Sequence, residues 1–286
     1  MQTRRDFLRV SMVALSALRA SKSFAAGDRP PIGVQLYTVR QQAEKDLGKV
    51  LEEIHKIGYR EVELYWNVYA HPAVTLRRMI TDAGLSAPSG HFNYDGLPTK
   101  LDYARELGLK WVVCPMLPES MWNSLDGFKR AADQFNRWGE QINGMGMRFA
   151  FHNHNYEFKK FGDATGFETL LTNTDPKLVN LEMDCYWITQ AGRDPVKMLD
   201  DLGKRVRMLH LKDRKAGFRP SQQLNDAAGH FSEVGRGTIN WPAVLKRAQE
   251  LEIEHYFVEQ DKSDKPPIES LRISYQYLEP LFAKMA

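Results

Sequence analysis

The chain of 286 residues is poor in the features that mark several large functional classes. It has two cysteines, Cys114 and Cys185, far apart in sequence. Two thiols build no disulfide framework, and each follows an apolar run, the usual place of a buried free cysteine. Gly33 and Gly58 stand alone, and Gly235-Arg236-Gly237 follows no strand pattern directly. A Gly-rich phosphate loop, and with it a nucleotide-binding doubly wound sheet, is therefore not indicated. There is no Gly-x-Ser-x-Gly turn, and neither cysteine sits in a reactive-site pattern, so a nucleophile-based hydrolase is not indicated either. An excess of positive charge is also missing once the first 25 residues are set aside. They hold five of the 39 basic and one of the 36 acidic residues, which leaves 34 and 35. No basic surface for nucleic acid is implied.

Those first residues carry their own signature. Thr3-Arg4-Arg5-Asp6-Phe7-Leu8-Arg9 has the twin-arginine export pattern. A weakly apolar stretch from Val10 to Leu18 follows, too short to span a membrane, and then Ser23-Phe24-Ala25, a small-x-small cleavage site. Residues 1–25 are read as a signal peptide that sends a folded protein to the periplasm, without stable membrane insertion. Residues 26–286 then form one domain, close to the size of an eight-fold α/β barrel, roughly 250 residues.

Strand and helix patterns alternate through that domain. Ile32 to Tyr37 reads as a strand, and Leu47, Val50, Leu51, Ile54 and Ile57 mark one face of a helix stopped by Gly58. Further strands are predicted at 61–64, 85–89, 111–113, 147–151, 178–183, 206–209 and 255–258. Helices are predicted at 74–83, 98–107, 126–142, 166–171, 195–202, 241–251 and 267–282. Eight strands, each followed by a helix without an internal linker, predict a single (β/α)8 TIM barrel. The longest connection, 212–240, leaves the seventh strand, and in a barrel it lies on the catalytic face.

Polar clusters end the later apolar runs: Phe151-His152-Asn153-His154-Asn155-Tyr156-Glu157, Asp184-Cys185-Tyr186-Trp187, His210-Leu211-Lys212-Asp213 and Glu259-Gln260-Asp261. Imidazoles and carboxylates at buried strand ends lose hydration and need partners, commonly a metal. His152 and His154 are two apart and share one side of an extended strand, and Glu182 points the same way as Asp184. Glu259 completes the set, with Gln260 and Asp261 as alternatives where the strand twists. Lys212 lies on the side of His210, placed to bind a substrate oxygen or relay a proton, or to pair with Asp213. Such a mixed set suits Mn²⁺, Co²⁺, Zn²⁺, Fe²⁺ or Mg²⁺ better than Ca²⁺. A cation there would acidify the C–H beside a substrate carbonyl, with a carboxylate or lysine moving the proton. Gln35, Tyr37, Glu63, His91, His154 and Trp187 add hydrogen-bonding and aromatic groups suited to a small sugar or sugar derivative.

With these residues in place, the chain resembles the xylose-isomerase-like barrel superfamily, the sugar phosphate isomerase/epimerase group. The motifs are Ile32-Gly33-Val34-Gln35-Leu36-Tyr37-Thr38-Val39-Arg40, Phe151-His152-Asn153-His154 with Glu157-Phe158, Leu209-His210-Leu211-Lys212-Asp213, Val234-Gly235-Arg236-Gly237 and Val258-Glu259-Gln260-Asp261. The resemblance implies a metal-dependent isomerase or epimerase that forms a metal-stabilised enediolate. Two glutamates, an aspartate and a histidine would hold the cation, the glutamates doubling as acid and base. Asp184, His210 and Glu259 fall on three of these positions. His152 stands where the fifth strand ordinarily supplies the first glutamate, so either His152 binds the metal or Glu157 reaches back as ligand and catalytic carboxylate. This departure raises a lyase or hydratase acting on a 3-keto-sugar or 3-keto-glycoside. An inactive carbohydrate-binding barrel is the non-enzymatic reading, and a homo-oligomer is compatible with the sequence.

Overall fold

The computed structural model describes residues 29–227 and 229–285; the signal peptide read at residues 1–25 lies outside the described residues. Eight parallel strands close into a barrel: β1 Ile32–Gln35, β2 Glu61–Leu64, β3 Ser86–His91, β4 Trp111–Cys114, β5 Arg148–His152, β6 Val179–Asp184, β7 Val206–Leu211 and β8 His255–Val258. The last strand pairs with the first, Ile32 opposite Tyr256 and Val34 opposite Val258. The main surrounding helices are α1 Leu47–Ile57, α2 Ala73–Asp82, α3 Leu101–Leu107, α4 Leu125–Gly144, α5 Gly166–Asn173, α6 Pro195–Leu202, α7 Trp241–Glu250 and α8 Pro267–Phe282. Each lays an apolar stripe on the barrel wall. In α4 that stripe is Phe128, Ala131, Ala132, Phe135, Trp138 and Ile142, spaced at three and four as a helix face requires. Among the described residues no helix is long and apolar enough to cross a membrane.

The expected strands are all present: β2 and β8 have the expected ends, while β1 stops at Gln35, short of Tyr37, where the 3-10 turn Leu36–Val39 begins. Of the others, β4 gains Cys114, and β3, β5, β6 and β7 run one or two residues further than expected. They take in His91, His152, Asp184 and His210, because the parallel ladder pairs backbone amides whatever the side chain. Register then sets the site: His152 lies opposite Glu182, and Asp184 opposite His210. Trp111, Val113, Ala150, Met208 and Phe257 fill the barrel interior. Gly33 makes room for this filling, since a Cβ there would meet the Phe257 ring at 2.5 Å. At the opposite end Glu254, just before β8, is gripped by Lys110, by Arg148 at 2.8 Å and by Arg207 Nε at 3.0 Å. Both cysteines are buried free thiols.

Candidate metal centre

The ends of β6, β7 and β8 bring Asp184, His210 and Glu259 together, with one ligand atom from each within 4.8 Å of the others. His210 Nδ1 lies 3.1 Å from Glu259 Oε2 and 3.8 Å from Asp184 Oδ2. Asp184 is fixed from both sides. Its Oδ1 accepts the Trp187 amide at 2.9 Å, capping the short helix Cys185–Gln190, and its own amide donates to Asn153 Oδ1 at 3.1 Å. Oδ2 is left facing the mouth.

Lys212 projects into the same space, buried, with its ammonium 2.7 Å from Glu259 Oε2, 2.8 Å from Asp261 Oδ2 and 3.3 Å from Asp184 Oδ2. Trp187, Phe231 and Tyr186 surround that ammonium, the Trp187 ring centroid at 5.3 Å. Burial alone would lower the Lys212 pKa, but Asp184, Asp261 and Glu259 outweigh it and hold the lysine charged. Burial likewise pushes Glu259 up, but Lys212 and His210 win and hold its carboxylate well below the ordinary range. Burial raises Asp184 to about 6 against the pull of Lys212. Three carboxylates therefore face one ammonium. The excess of carboxylates over the single ammonium and the mixed oxygen–nitrogen donor set fit one divalent transition cation, held by Asp184, His210 and Glu259.

Asp213, the alternative partner for Lys212, does something else. Its carboxylate accepts the amides of Gly235, Gly237 and Ile239 and the Trp241 indole N–H, between 2.8 and 3.2 Å. A Cβ at Gly237 would sit 2.2 Å from Asp213 Oδ1, which is why glycine occupies that position. The Lys212-Asp213 and Val234-Gly235-Arg236-Gly237 motifs thus divide the labour. Lys212 faces the mouth, and Asp213 pins the long connection beside it.

Glu157 is the expected ligand that the structure does not bring in. The 3-10 turn Tyr156–Phe158 folds it back, and both carboxylate oxygens accept the His154 amide at 3.0 and 3.1 Å. It belongs to neither group of convergent donors, and burial raises it to about 8. Sequence proximity suggested reach; the turn removes it. His152 does line the barrel interior, with Nε2 3.9 Å from Asp184 Oδ2 and Nδ1 3.2 Å from Glu182 Oε2.

The residues assigned to substrate fall into two tiers. Gln35, Glu63 and His91 lie below the mouth, in a buried network where Gln35 donates to Glu63 at 2.8 Å and His91 contacts Glu63 at 3.1 Å. Glu63 also meets His210 Nε2 at 2.7 Å, and His91 Nε2 lies 2.7 Å from Glu182 Oε2. His154, Trp187 and Tyr37 lie nearer the mouth. The His154 and Trp187 rings are 4.9 Å apart, and His154 Nδ1 and Trp187 Nε1, both buried, have no hydrogen-bond partner among the described residues. Burial keeps the His154 imidazole neutral, lowering it to about 3. Tyr37 packs against Tyr65 and Trp66, with the Arg40 guanidinium 4.1 Å over its ring. Glu182 was recognisable only as a residue sharing the face of Asp184, yet it touches His91 at 2.7 Å. Asp261 supplies a third carboxylate to Lys212.

Comparison with known proteins agrees with the barrel fold. The family model described as xylose isomerase-like TIM barrel matches residues 51–281. Inosose dehydratase of Lacticaseibacillus casei is 26% identical over 271 residues, 81% of this chain and 88% of that one. Inosose dehydratase of Geobacillus kaustophilus is 24% identical over 276 residues, 82% and 86% of the two chains. A solved structure of a sugar phosphate isomerase/epimerase from Parabacteroides distasonis superposes with a TM-score of 0.72 at 26% identity, covering 92% of this chain and 98% of the other.

Proposed function

The chain belongs to the xylose isomerase-like TIM barrel family, and from that premise we propose that it is a metal-dependent carbon–oxygen lyase acting on a polyhydroxylated ketone such as a 3-keto-sugar, a 3-keto-glycoside or an inosose. One observation carries the choice. The fifth strand presents the imidazole of His152 where two-base epimerisation needs a carboxylate, and Glu157 is folded away. Glu259 is then the carboxylate base at the candidate metal site that lies nearest an ammonium acid, Lys212 at 2.7 Å.

That pair suffices for elimination. Glu259, held ionised, takes the proton from the carbon beside the carbonyl. The electron pair of that C–H bond becomes a C=C bond as the C–O bond at the next carbon breaks. The departing hydroxyl or glycosidic oxygen takes a proton from Lys212, leaving as water or as an alcohol. The 2.7 Å contact returns the abstracted proton from Glu259 to the lysine, so the pair is reset without an oxidant or reductant. When bound at Asp184, His210 and Glu259, a divalent cation supplies electrostatic stabilisation of the charge that develops on the carbonyl oxygen. His154 and Trp187, with their unpaired ring nitrogens, orient substrate hydroxyls. The relatives named inosose dehydratase support the lyase reading.

The second reading, an isomerase or epimerase, is favoured by the likeness to the Parabacteroides structure and shares the first proton transfer. Incubation of the metal-loaded protein with 3-keto-glycosides and inososes in deuterium oxide separates the two. A lyase gives an unsaturated ketone and one equivalent of water or alcohol. A deuterated epimer with no eliminated product would establish the isomerase instead. Absence of exchange and of turnover with every such ketone would reject both.

A further inference from the structure

Beneath the Asp184, His210 and Glu259 donors lies a second convergent group, His91, His152 and Glu182 with His210 common to both, and of it the proposed chemistry uses only His210. His91 Nε2 is 2.7 Å from Glu182 Oε2 and 3.1 Å from Glu63 Oε2, and His152 Nδ1 is 3.2 Å from Glu182 Oε2. Ligand atoms arranged tetrahedrally around a cation at ~2.1 Å stand about 3.4 Å apart, so these separations are those of a slightly contracted coordination shell. All four residues are buried, and Glu182 Oε1 has no hydrogen-bond partner among the described residues. The Glu63 carboxylate is steadied by Gln35 at 2.8 Å and by the Ser89 hydroxyl, the outer support that ligating carboxylates commonly have.

The lone pairs can be allotted without conflict. His210 offers Nδ1 to the upper group, which leaves its Nε2–H to donate to Glu63 at 2.7 Å. His152 then offers Nδ1 to the lower group, and no imidazole has to bridge two cations. Charge points the same way. Among the described residues Glu63 and Glu182 form ion pairs only with histidines, with no lysine or arginine in reach. Two buried carboxylates need two positive charges beside them, which one divalent cation would supply in place of protons on the histidines. In the upper group Lys212 already neutralises one of three carboxylates.

We propose that His91, His152 and Glu182, closed off by Glu63, form a second divalent transition-metal site one layer deeper in the barrel. With every side taken by protein it is a closed, structural site, whereas the upper one keeps a face open to the mouth. Its ligands come from β2, β3, β5 and β6, so it clamps the half of the barrel opposite β7 and β8.

The test is metal stoichiometry on the whole chain, stripped by chelator, loaded with Zn²⁺ or Mn²⁺ and freed of excess by gel filtration. Two equivalents per chain are expected, falling to one in Glu182→Gln, in His91→Gln and in Asp184→Asn. A crystal of the unmutated zinc-loaded chain should give two anomalous peaks, the deeper one ringed by His91, His152, Glu182 and Glu63. That measurement decides the matter even where a variant does not fold. One equivalent with a single peak at Asp184, His210 and Glu259 overturns the second site and leaves the lyase reading standing. A single peak at the deeper position overturns the assignment of the upper ligands instead. Two equivalents unchanged in Glu182→Gln also overturn the proposal.

Discussion

Lys212 is the residue on which most of the chemistry turns, and its sequence context offered it two roles. Placement two residues beyond His210 correctly put it on the inner face; that its partner is Glu259 and not the adjacent Asp213 depends on the barrel bringing β8 alongside β7. Lys212→Met is expected to lower kcat by about 10³-fold or more, with a smaller change in KM, the size of effect that loss of a proton-transfer group produces. Steady-state kinetics on an eliminating ketone checks this, and retained metal content shows that the loss is chemical. Glu157 teaches the opposite lesson. Its identity was legible and its direction was not, because one 3-10 turn reverses it. Burial holds its carboxyl at about 8 against an ordinary 4.5. Ionisation therefore opposes folding: below the unfolded value there is no penalty, the penalty grows as pH rises from 4.5 to about 8, and it is constant above. Glu157→Gln keeps the shape without the charge. Thermal melts should show it level with the parent at pH 4 and more stable at pH 8, by about 1–2 kcal/mol after allowance for relaxation of the buried charge. A difference that does not change with pH would refute the account.

At the scale of elements, alternation of apolar runs identified all eight barrel strands, since a parallel strand buried on both faces is almost continuously hydrophobic. The same criterion stopped β3, β5, β6 and β7 short, at the polar residues that make the site. Pattern sees hydrophobicity, whereas a strand ends where its hydrogen-bond ladder ends. Pattern placed Glu63, His91 and Glu182 on the inner face but could not show that they meet, because facing across a barrel is a property of register between strands distant in sequence. The opposite end of the barrel shows how elements are tied. Glu254 before β8 meets Lys110 before β4, Arg148 on β5 and Arg207 on β7. Burial raises its pKa, but Lys110 and Arg207 overcome that and depress it to about 2. The contribution is present above the unfolded value and lost as pH falls through about 2. Glu254→Gln should cost about 1–3 kcal/mol at pH 7, an estimate reduced because the group is partly solvated. Urea denaturation should find that cost shrinking below pH 3.

At the scale of the whole molecule, residue 25 is where we expect a leader to end and the barrel domain to begin. We expect the leader to direct export. Replacing Arg4 and Arg5 with lysine should hold the protein in the cytoplasm by cell fractionation, and the exported form should begin at Ala26 by N-terminal sequencing. An unprocessed, cytoplasmic parent would refute both. The pairing of the first strand with the last bears on when these events occur. A barrel sealed by its final strand has no closed form while residues 255–258 are still inside the ribosome. The candidate donors are dispersed in the same way, from His91 on β3 to Glu259 just past β8, so neither group is assembled on a nascent chain. Any loading with metal would therefore be an event of the finished polypeptide, in whichever compartment the chain closes. An export route that carries folded cargo would make that compartment the cytoplasm, and the cation would be chosen from the pool controlled there, before the protein meets the metals outside.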